Sequence, residues 1–265
     1  MRRIQAFRVP RIADYNSGNM QEQLDSIELE LQVGVAKVSK YATRESGDTL
    51  EVTERPQGGL SMVLADGQRS GRAAKIISAL VARKAIALLA EGVRDGAAAR
   101  ATHDYLRTHR QGQVSAELSI VSLDLATRTI VISRNSHCPV FILSQEGLRV
   151  WDEPSEPIGI HAGIKPVITE LPVAANTWVI VFTDGVLEAG QRFAGSFDIK
   201  TWVTKCLGRG EKSAAALADA LLARAIELDQ NRPRDDMSVL VLALLPIEST
   251  DNARRLTVRF PVPPI

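Results

Sequence analysis

The chain has 265 residues, a formal net charge of +1 and 24% charged residues. A chain of this length buries roughly 70 to 75% of its unfolded surface, which is enough for one large domain or two small ones. The near-neutral charge provides no basic field for nucleic acid, and no apolar run approaches the roughly 20 residues of a membrane span. Two cysteines, Cys138 and Cys206, have neither disulfide-like nor metal-like spacing, which is typical of a reducing compartment. We therefore expect a cytoplasmic protein that binds neither nucleic acid nor a membrane.

The first part of the chain predicts a leader followed by antiparallel strands. Residues 1–28 form an N-terminal leader of mixed composition and unknown role. Apolar and polar residues then alternate over 29–38 and again over 49–54, and a period of two is typical of half-buried strands. The apolar run over 61–65 predicts a buried strand, which a turn dipeptide ends.

Two helices are predicted after this strand. Residues 71–92 place apolar side chains three and four positions apart, and residues 95–109 repeat that spacing. The predicted stripe of the first helix consists of Ala73, Ile76, Ile77, Leu80, Val81, Lys84 and Leu88. Two helices packed side by side would cover one face of a sheet.

Strands dominate the second half of the chain. Short polar or glycine-bearing segments separate them, which is typical of hairpin-linked antiparallel strands. The predicted elements are strands over 116–124, 128–134, 139–143, 147–151, 166–171, 177–183 and 237–245, with an alanine-rich helix over 213–228. Many strands without strict alternation with helices predict an α+β sandwich of two mostly antiparallel sheets flanked by helices. We assign this domain to residues 29–246, and residues 247–265 to a C-terminal tail or a late strand.

Aspartates stand at the ends of four predicted strands, at Asp48, Asp66, Asp184 and Asp235. Asp184 follows the strand over 177–183, which is apolar on both faces and is predicted to be central. One interpretation is structural, in that an aspartate in a turn dipeptide does no more than stabilise the turn. If the four carboxylates meet at one edge of the sheets, however, their like charges require a cation between them.

Magnesium or manganese is the expected cation, because oxygen ligands without histidine or cysteine select hard divalent ions. Two such ions roughly 3.5 to 4 Å apart would share one aspartate and one bridging water, whose pKa they would lower. The same ions would stabilise the attacking and leaving oxygens of a phosphoester. The sequence therefore predicts a hydrolytic centre with two Mn²⁺ or Mg²⁺ ions.

Five short motifs follow one another along the chain. They are S-G-D at 46–48, D-G-Q-R-S-G at 66–71, N-S-H-C-P at 135–139, T-D-G-V-L-E-A at 183–189 and R-D-D-M-S-V at 234–239. In this order they resemble the motifs of PPM/PP2C-type metal-dependent serine/threonine phosphatases, closest to the bacterial sporulation stage II E-like branch, which includes stress-response phosphatases. The resemblance covers about residues 35–244, and its last two motifs are specific. It implies a four-layer αββα sandwich, in agreement with the predicted elements.

The resemblance also implies a role for each acidic position. Asp66 would bridge both ions, and the backbone carbonyl of Gly67 would meet the second one. Asp184 and Asp235 would bind the first ion, and Asp48 would hold the second directly or through water. The four aspartates would together form the catalytic centre.

Several nearby residues depart from this pattern or have an open role. Asp236 matches a position that is not usually a ligand. Arg69 stands where this branch usually has a glycine, so its side chain would contact substrate phosphate, crowd the site or remain solvated in the loop. Arg44 lies near the place where some relatives have a phosphate-binding arginine. His137 is interpreted either as a structural hydrogen-bonding residue or as a catalytic acid, and Cys138 has no basic cluster to activate a thiolate.

We expect a protein phosphatase that hydrolyses phosphoserine or phosphothreonine in a bacterial regulatory protein, through a water bridged by two metal ions. By resemblance, the substrate would be a phosphorylated anti-sigma-factor antagonist or a related stress-signalling scaffold. Two alternatives stay open: a catalytically weak or inactive PP2C-like module that binds a partner, and a nuclease or other phosphodiesterase. The absence of a basic stripe with aromatic residues argues against nucleic acid. A monomer and a homodimer are both compatible with the composition.

Overall fold

A computed structural model describes most of the chain as two compact units. Residues 30–245 form the larger unit, and the described residues of the smaller one are 28–29, 246–247 and 253–261. In the smaller unit, the exposed residues 253–261 have no regular secondary structure. The leader over 1–28, apart from Glu28, lies outside the described residues, and so does Arg44. The described ranges are 28–43, 45–193, 195–210, 213–247 and 253–261.

Ten strands and five α-helices occur in the described residues. The strands are β1 (Leu29–Val38), β2 (Asp48–Glu54), β3 (Gly59–Gly67), β4 (Ala116–Asp124), β5 (Thr129–Asn135), β6 (Val140–Ser144), β7 (Gly147–Trp151), β8 (Val167–Pro172), β9 (Thr177–Phe182) and β10 (Met237–Pro246). The helices are α1 (Gly71–Ala90), α2 (Asp95–His109), α3 (Asp184–Leu187), α4 (Ile199–Gly208) and α5 (Ala214–Leu228), with a 3₁₀ turn at Gln191–Phe193. Each predicted element lies within two residues of its observed bounds, whereas α3 and α4 were not predicted.

The strands form two five-stranded sheets. One sheet has the order β1-β10-β9-β6-β7, and the other has the order β2-β3-β4-β5-β8. The pairs of β3 with β2 and β4, and of β9 with β10 and β6, are antiparallel. As predicted, β9 is an internal strand, and all six of its residues are buried.

Apolar side chains fill three interfaces between four layers. Successive side chains of a strand point to opposite faces. In β9, Ile180 accordingly packs toward α4 and α5, whereas Val181 packs toward the other sheet. Helices α1 and α2 cover the outer face of that other sheet, where Val63 and Leu118 are buried. The architecture is therefore an α-β-β-α sandwich, which confirms the predicted fold.

The buried face of α1 is rotated by about one residue from the predicted stripe. Ile76 of that stripe is 50% exposed, while small residues take the positions that face the sheet. Small side chains allow a helix and a sheet to approach closely, and this packing outweighs the count of large apolar residues. The buried positions of α1 are Ala74, Ile77, Ser78, Val81, Ala82, Ala85 and Leu89.

Tertiary packing stabilises α4, which its sequence does not predict. The segment is rich in β-branched residues, which have a reduced helix propensity. The Asp198 side chain caps its first turn by accepting a hydrogen bond from the Thr201 amide at 3.0 Å. The Trp202 indole donates to the Ala220 carbonyl of α5 at 3.3 Å, and Val203 is fully buried. Among the helices of the described residues, none combines the length and the apolar composition that crossing a bilayer requires.

Candidate metal centre

The hairpin of β2 and β3 places two of the predicted aspartates side by side. Asp48 is the first residue of β2, and the strand register pairs it with Asp66, near the end of β3. Asp48 is fully buried, and Asp66 is partly buried. Two carboxylates are therefore adjacent at one end of this sheet.

The other two aspartates lie where β9 ends and β10 begins. Asp184 is the first residue of α3, directly after Thr183, and Asp235 precedes β10. Because β9 and β10 are antiparallel, with Phe182 opposite Val239, the end of one lies beside the start of the other. The amide of Asp236 donates to Asp235 Oδ1 at 2.9 Å, which fixes that carboxylate.

A single cleft of about 420 Å³ brings the aspartates of the two sheets together. Asp66, Asp184 and Asp235 line it, and Asp48 lies beside Asp66 without belonging to the lining. The full lining is Lys40, Asp66, Gly67, Gln68, Arg69, Ser70, Ser115, Ala116, Glu117, Pro157, Asp184 and Asp235. The structure thus gathers the residues that the sequence predicted to converge.

Asp48 has one oxygen that is held in place and one that has no partner. Its Oδ2 accepts hydrogen bonds from the hydroxyls of Ser238 at 2.6 Å and Thr183 at 3.1 Å. Its Oδ1 is buried and has no hydrogen-bond partner among the described residues. Burial raises the pKa of this carboxyl above its ordinary value. A buried oxygen without a partner costs free energy, so a cation at this position would stabilise the fold.

Burial and the charges of neighbouring carboxylates raise the pKa values of Asp66 and Asp184 in the cleft. The pKa of Asp66 is raised to about 10. Burial is the largest cause, and the charges of Asp48, Asp184, Glu117 and Asp235 contribute further. Burial, followed by the charge of Asp235, raises the pKa of Asp184 to about 6. Without a cation, this cluster therefore retains protons that ordinary carboxyls would have lost, and a divalent ion would displace them.

Glu117 is a further acidic residue of the cleft that we did not predict from the sequence. The register of β3 and β4 places it opposite Asp66, and its charge contributes to the raised pKa values of Asp66 and Asp184. The sequence carried a weak signal, because Glu117 is the one charged residue inside an otherwise apolar and serine-bearing run. Its proximity to Asp66 depends on strand register, which the sequence pattern did not reveal.

The N-S-H-C-P turn holds Glu117 in place. The Ser136 hydroxyl donates to Glu117 Oε2 at 2.6 Å, the His137 amide donates to Oε1 at 3.2 Å, and His137 Nδ1 also contacts Oε1. The hydrogen bond to Glu117 raises the pKa of His137 above its ordinary value. Burial, together with nearby carboxylates, raises the pKa of the Cys138 thiol, so this cysteine is unsuited to act as a nucleophile.

Two glycines beside the candidate metal ligands lie so close to neighbouring backbone that a side chain would not fit. A side chain at Gly67 would place its Cβ 2.1 Å from the carbonyl oxygen of Ala74 in α1. At Gly185 a Cβ would lie 2.2 Å from the carbonyl oxygen of Asp236. Asp236 itself is buried, and its carboxylate accepts from the amides of Lys40 at 2.9 Å and Gly47 at 2.8 Å. It therefore joins loops behind the cleft, in keeping with its exclusion from the predicted ligands.

Arg69 lines the cleft and has an unusual backbone conformation. Its φ angle is 80°, in the left-handed region that favours glycine. A non-glycine residue there costs roughly 1–2 kcal/mol. The Arg69 side chain is exposed and belongs to the lining of the cleft.

The donor set fits two hard divalent cations. The residues that could hold them are carboxylates, with a backbone carbonyl at Gly67, and the unpartnered Asp48 Oδ1 lies beside Asp66. Magnesium and manganese prefer oxygen ligands of this kind. Burial and the charges of neighbouring carboxylates raise the pKa values of Asp66 and Asp184, and a cation between these carboxylates would offset that repulsion. The site therefore suits metal-assisted hydrolysis of a phosphoester.

The sandwich and its acidic cleft together define a protein of the PP2C-like phosphatase class of folds. The model of the family described as Stage II sporulation protein E (SpoIIE) matches residues 56–245. Because this match covers most of the chain, the chain belongs to that family, which confirms the resemblance. No curated protein sequence matches the chain significantly.

Solved structures of PP2C phosphatases share the fold. The PP2C domain of SpoIIE from Bacillus subtilis, with a fragment of its regulatory domain, is 20% identical with a TM-score of 0.69, over 84% of this chain and 66% of that one. A structure from the bacterial stressosome is 18% identical with a TM-score of 0.61, over 80% of this chain and 99% of that one. The catalytic domain of the phosphatase PstP, solved with two manganese ions, is 15% identical with a TM-score of 0.60, over 82% of this chain and 100% of that one.

Proposed function

We propose that this protein is a metal-dependent phosphatase that hydrolyses phosphoserine and phosphothreonine in a bacterial regulatory protein. The observation that carries the proposal is the cleft in which Asp66, Asp184 and Asp235 meet although they are distant in sequence. Burial and the charges of neighbouring carboxylates raise the pKa values of Asp66 and Asp184, and divalent cations would offset that repulsion. Membership of the SpoIIE family supports the same function.

The cleft residues would hold two Mn²⁺ or Mg²⁺ ions. Asp66 would bridge the two ions, Asp184 and Asp235 would bind the first, and Asp48 with the Gly67 carbonyl would serve the second. When bound, the ions would lower the pKa of a bridging water and neutralise charge on the phosphoryl oxygens, with no covalent enzyme intermediate. Thr183 and Ser238 would keep the Asp48 carboxylate in one orientation through their hydrogen bonds.

Relatives suggest the kind of substrate. One similar structure comes from the bacterial stressosome, and another belongs to the cell fate determinant SpoIIE. We infer that the substrate is a phosphorylated regulatory protein of the anti-sigma-factor-antagonist or stress-scaffold type, and that the enzyme acts in the cytoplasm. The two cysteines are free and buried, which suits a reducing compartment.

Hydrolysis of p-nitrophenyl phosphate and of a phosphoserine peptide by the full chain with Mn²⁺ tests this function. We expect turnover of both substrates and its loss in excess chelator. Asp184→Asn should lower the rate roughly a hundredfold to a thousandfold, as expected when charge stabilisation of the transition state is removed. The matched control is Asp219→Asn on the exposed face of α5, which should retain full activity.

Calorimetric titration with Mn²⁺ separates an enzyme from a PP2C-like module that only binds a partner. We expect two ions per chain in the wild type and weakened binding in Asp184→Asn. Full activity of Asp184→Asn would show that the assignment of the site is wrong. If neither the wild type nor Asp184→Asn binds Mn²⁺, the result would favour the binding module instead.

A further inference from the structure

Two basic residues line the same cleft as the carboxylates. Lys40 and Arg69 are the lysine and arginine of the lining, which they share with the carboxylates of Asp66, Glu117, Asp184 and Asp235. Within the described part of the chain, the Arg69 side chain forms neither a hydrogen bond nor an ion pair. A guanidinium that shares a cleft with four carboxylates and pairs with none of them is available to a ligand.

The backbone at Arg69 is held in a conformation that arginine disfavours. Its φ angle of 80° lies in the left-handed region, where glycine would fit without strain. Non-glycine residues persist in such conformations when the surrounding structure enforces them, and they cluster at ligand-binding sites. Arg128 has the same residue type and a φ angle of 54°, but it lies in the hairpin between β4 and β5 and does not line the cleft.

Charge balance indicates what these cations would bind. Five carboxylates surround or adjoin the cleft, at Asp48, Asp66, Glu117, Asp184 and Asp235. Their combined negative charge exceeds the four positive charges that two divalent ions would supply. Two divalent ions would therefore leave little net positive charge, and the lining cations Lys40 and Arg69 would strengthen the binding of a phosphate monoester dianion.

We propose that Arg69 and Lys40 form a phosphate-binding subsite in this cleft. The subsite takes the phosphate group of the phosphoprotein substrate, and later the inorganic phosphate product. The planar guanidinium of Arg69 donates two parallel hydrogen bonds to phosphate oxygens, and the Lys40 ammonium adds a point charge. The inference rests on the proposed function, and it identifies residues that recognise the substrate and are not metal ligands.

Titration of the Mn²⁺-loaded full chain with inorganic phosphate, followed by calorimetry, tests the subsite without requiring turnover. We expect Arg69→Ala and Arg69→Gly to raise the phosphate Kd about tenfold or more, and Lys40→Met to raise it severalfold. Arg69→Lys should keep part of the affinity, because it retains the charge. Arg128→Gly removes an arginine from a similar backbone conformation and should leave the Kd unchanged.

Comparison of Arg69→Gly with Arg69→Ala distinguishes an effect of the lost guanidinium from an effect of relieved backbone strain. Arg69→Gly removes both the guanidinium and the strain, whereas Arg69→Ala removes only the guanidinium, so equal losses of phosphate affinity would assign the effect to the side chain. A phosphate Kd within twofold of the wild type in both variants would overturn the proposal, and so would a wild type that binds no phosphate. Hydrolysis measured in parallel tests the metal centre separately: a wild type that binds phosphate through Arg69 but hydrolyses no phosphoester would contradict only the proposed function.

Discussion

A polar cluster lies at each end of the strand pair β3–β4. In one cluster an arginine pairs with a buried carboxylate, and in the other no lysine or arginine of the described residues does so. Ser61 lies opposite Ser122 at one end, and Asp66 lies opposite Glu117 at the other. The two pairs are five residues apart along each strand, which corresponds to roughly 17 Å. The same two strands therefore support two polar clusters that differ in what completes them.

The cluster at Ser61 is complete within the chain. Arg55 Nη1 donates to Asp95 Oδ2 at 3.1 Å and to Ser61 Oγ at 3.0 Å. The Ser122 hydroxyl donates to the other oxygen of Asp95, and Asp124 lies 3.7 Å from Arg55 Nη2. Buried charge is balanced here by protein groups alone, as expected of a structural network.

The cluster at Asp66 is not complete within the chain. Of the described lysines and arginines, none forms an ion pair with Asp66, Asp184 or Asp235. The two sheets bring these carboxyls together, and burial, followed by the charges of neighbouring carboxylates, raises the pKa values of Asp66 and Asp184. The comparison shows that unbalanced buried charge, more than acidity itself, distinguishes a candidate metal site from a structural cluster.

The largest stability effect should follow from breaking the balanced cluster. Arg55→Ala leaves Asp95 buried without its cation, so we expect the free energy of unfolding to fall by roughly 3–5 kcal/mol. Urea denaturation of the metal-free proteins measures it. Arg224→Ala, which breaks the exposed pair with Glu227, should cost at most about 1 kcal/mol. Equal losses in the two variants would contradict the assignment of a structural network at Arg55.

At the Asp66 cluster, by contrast, removal of a carboxylate should increase the free energy of unfolding of the metal-free protein. The pKa of Asp184 is raised to about 6, so the folded state loses stability as pH rises from the unfolded pKa through this value. Asp184→Asn removes that cost, and in chelator at about pH 7.5 the free energy of unfolding should rise by roughly 1–3 kcal/mol. The gain should shrink as the pH falls toward about 4 and vanish below about 3, where Asp184 is protonated in both states. A variant that is less stable than the wild type in chelator would contradict the repulsion inferred here.

A smaller effect is expected in the pH dependence of metal binding. Because burial and neighbouring charges raise the pKa of Asp66 to about 10, an ion must displace its proton at neutral pH. The Mn²⁺ affinity should therefore increase with pH, by up to about tenfold per pH unit for each proton released. Calorimetry in buffers of different ionisation enthalpy counts those protons. Asp66→Asn should bind Mn²⁺ more weakly and with less proton release, and a pH-independent affinity in the wild type would refute the raised pKa.

Local patterns predicted most of the secondary structure but not the faces or contacts of its elements. The period-two strands and the helix over 95–109 agree with the observed elements, because their signals are strong within a few residues. Helix α4 was missed because its β-branched sequence becomes helical only when Val203 and Trp202 pack against the core. The predicted apolar stripe of α1 was offset by about one residue because small side chains occupy the positions that face the sheet. Glu117 was missed because its proximity to Asp66 depends on strand register.

The sequence by itself determined most of the elements, the four aspartates at strand ends and the family, since these depend on residue type and short spacing. Only the tertiary structure decided that Asp48 pairs with Asp66, that Asp184 and Asp235 line the same cleft as Asp66, and that Arg69 lines this cleft without a described partner. The physical reason is that burial and charge repulsion act through space over a few ångströms. Strand order and register set those distances, and both depend on how the whole core packs.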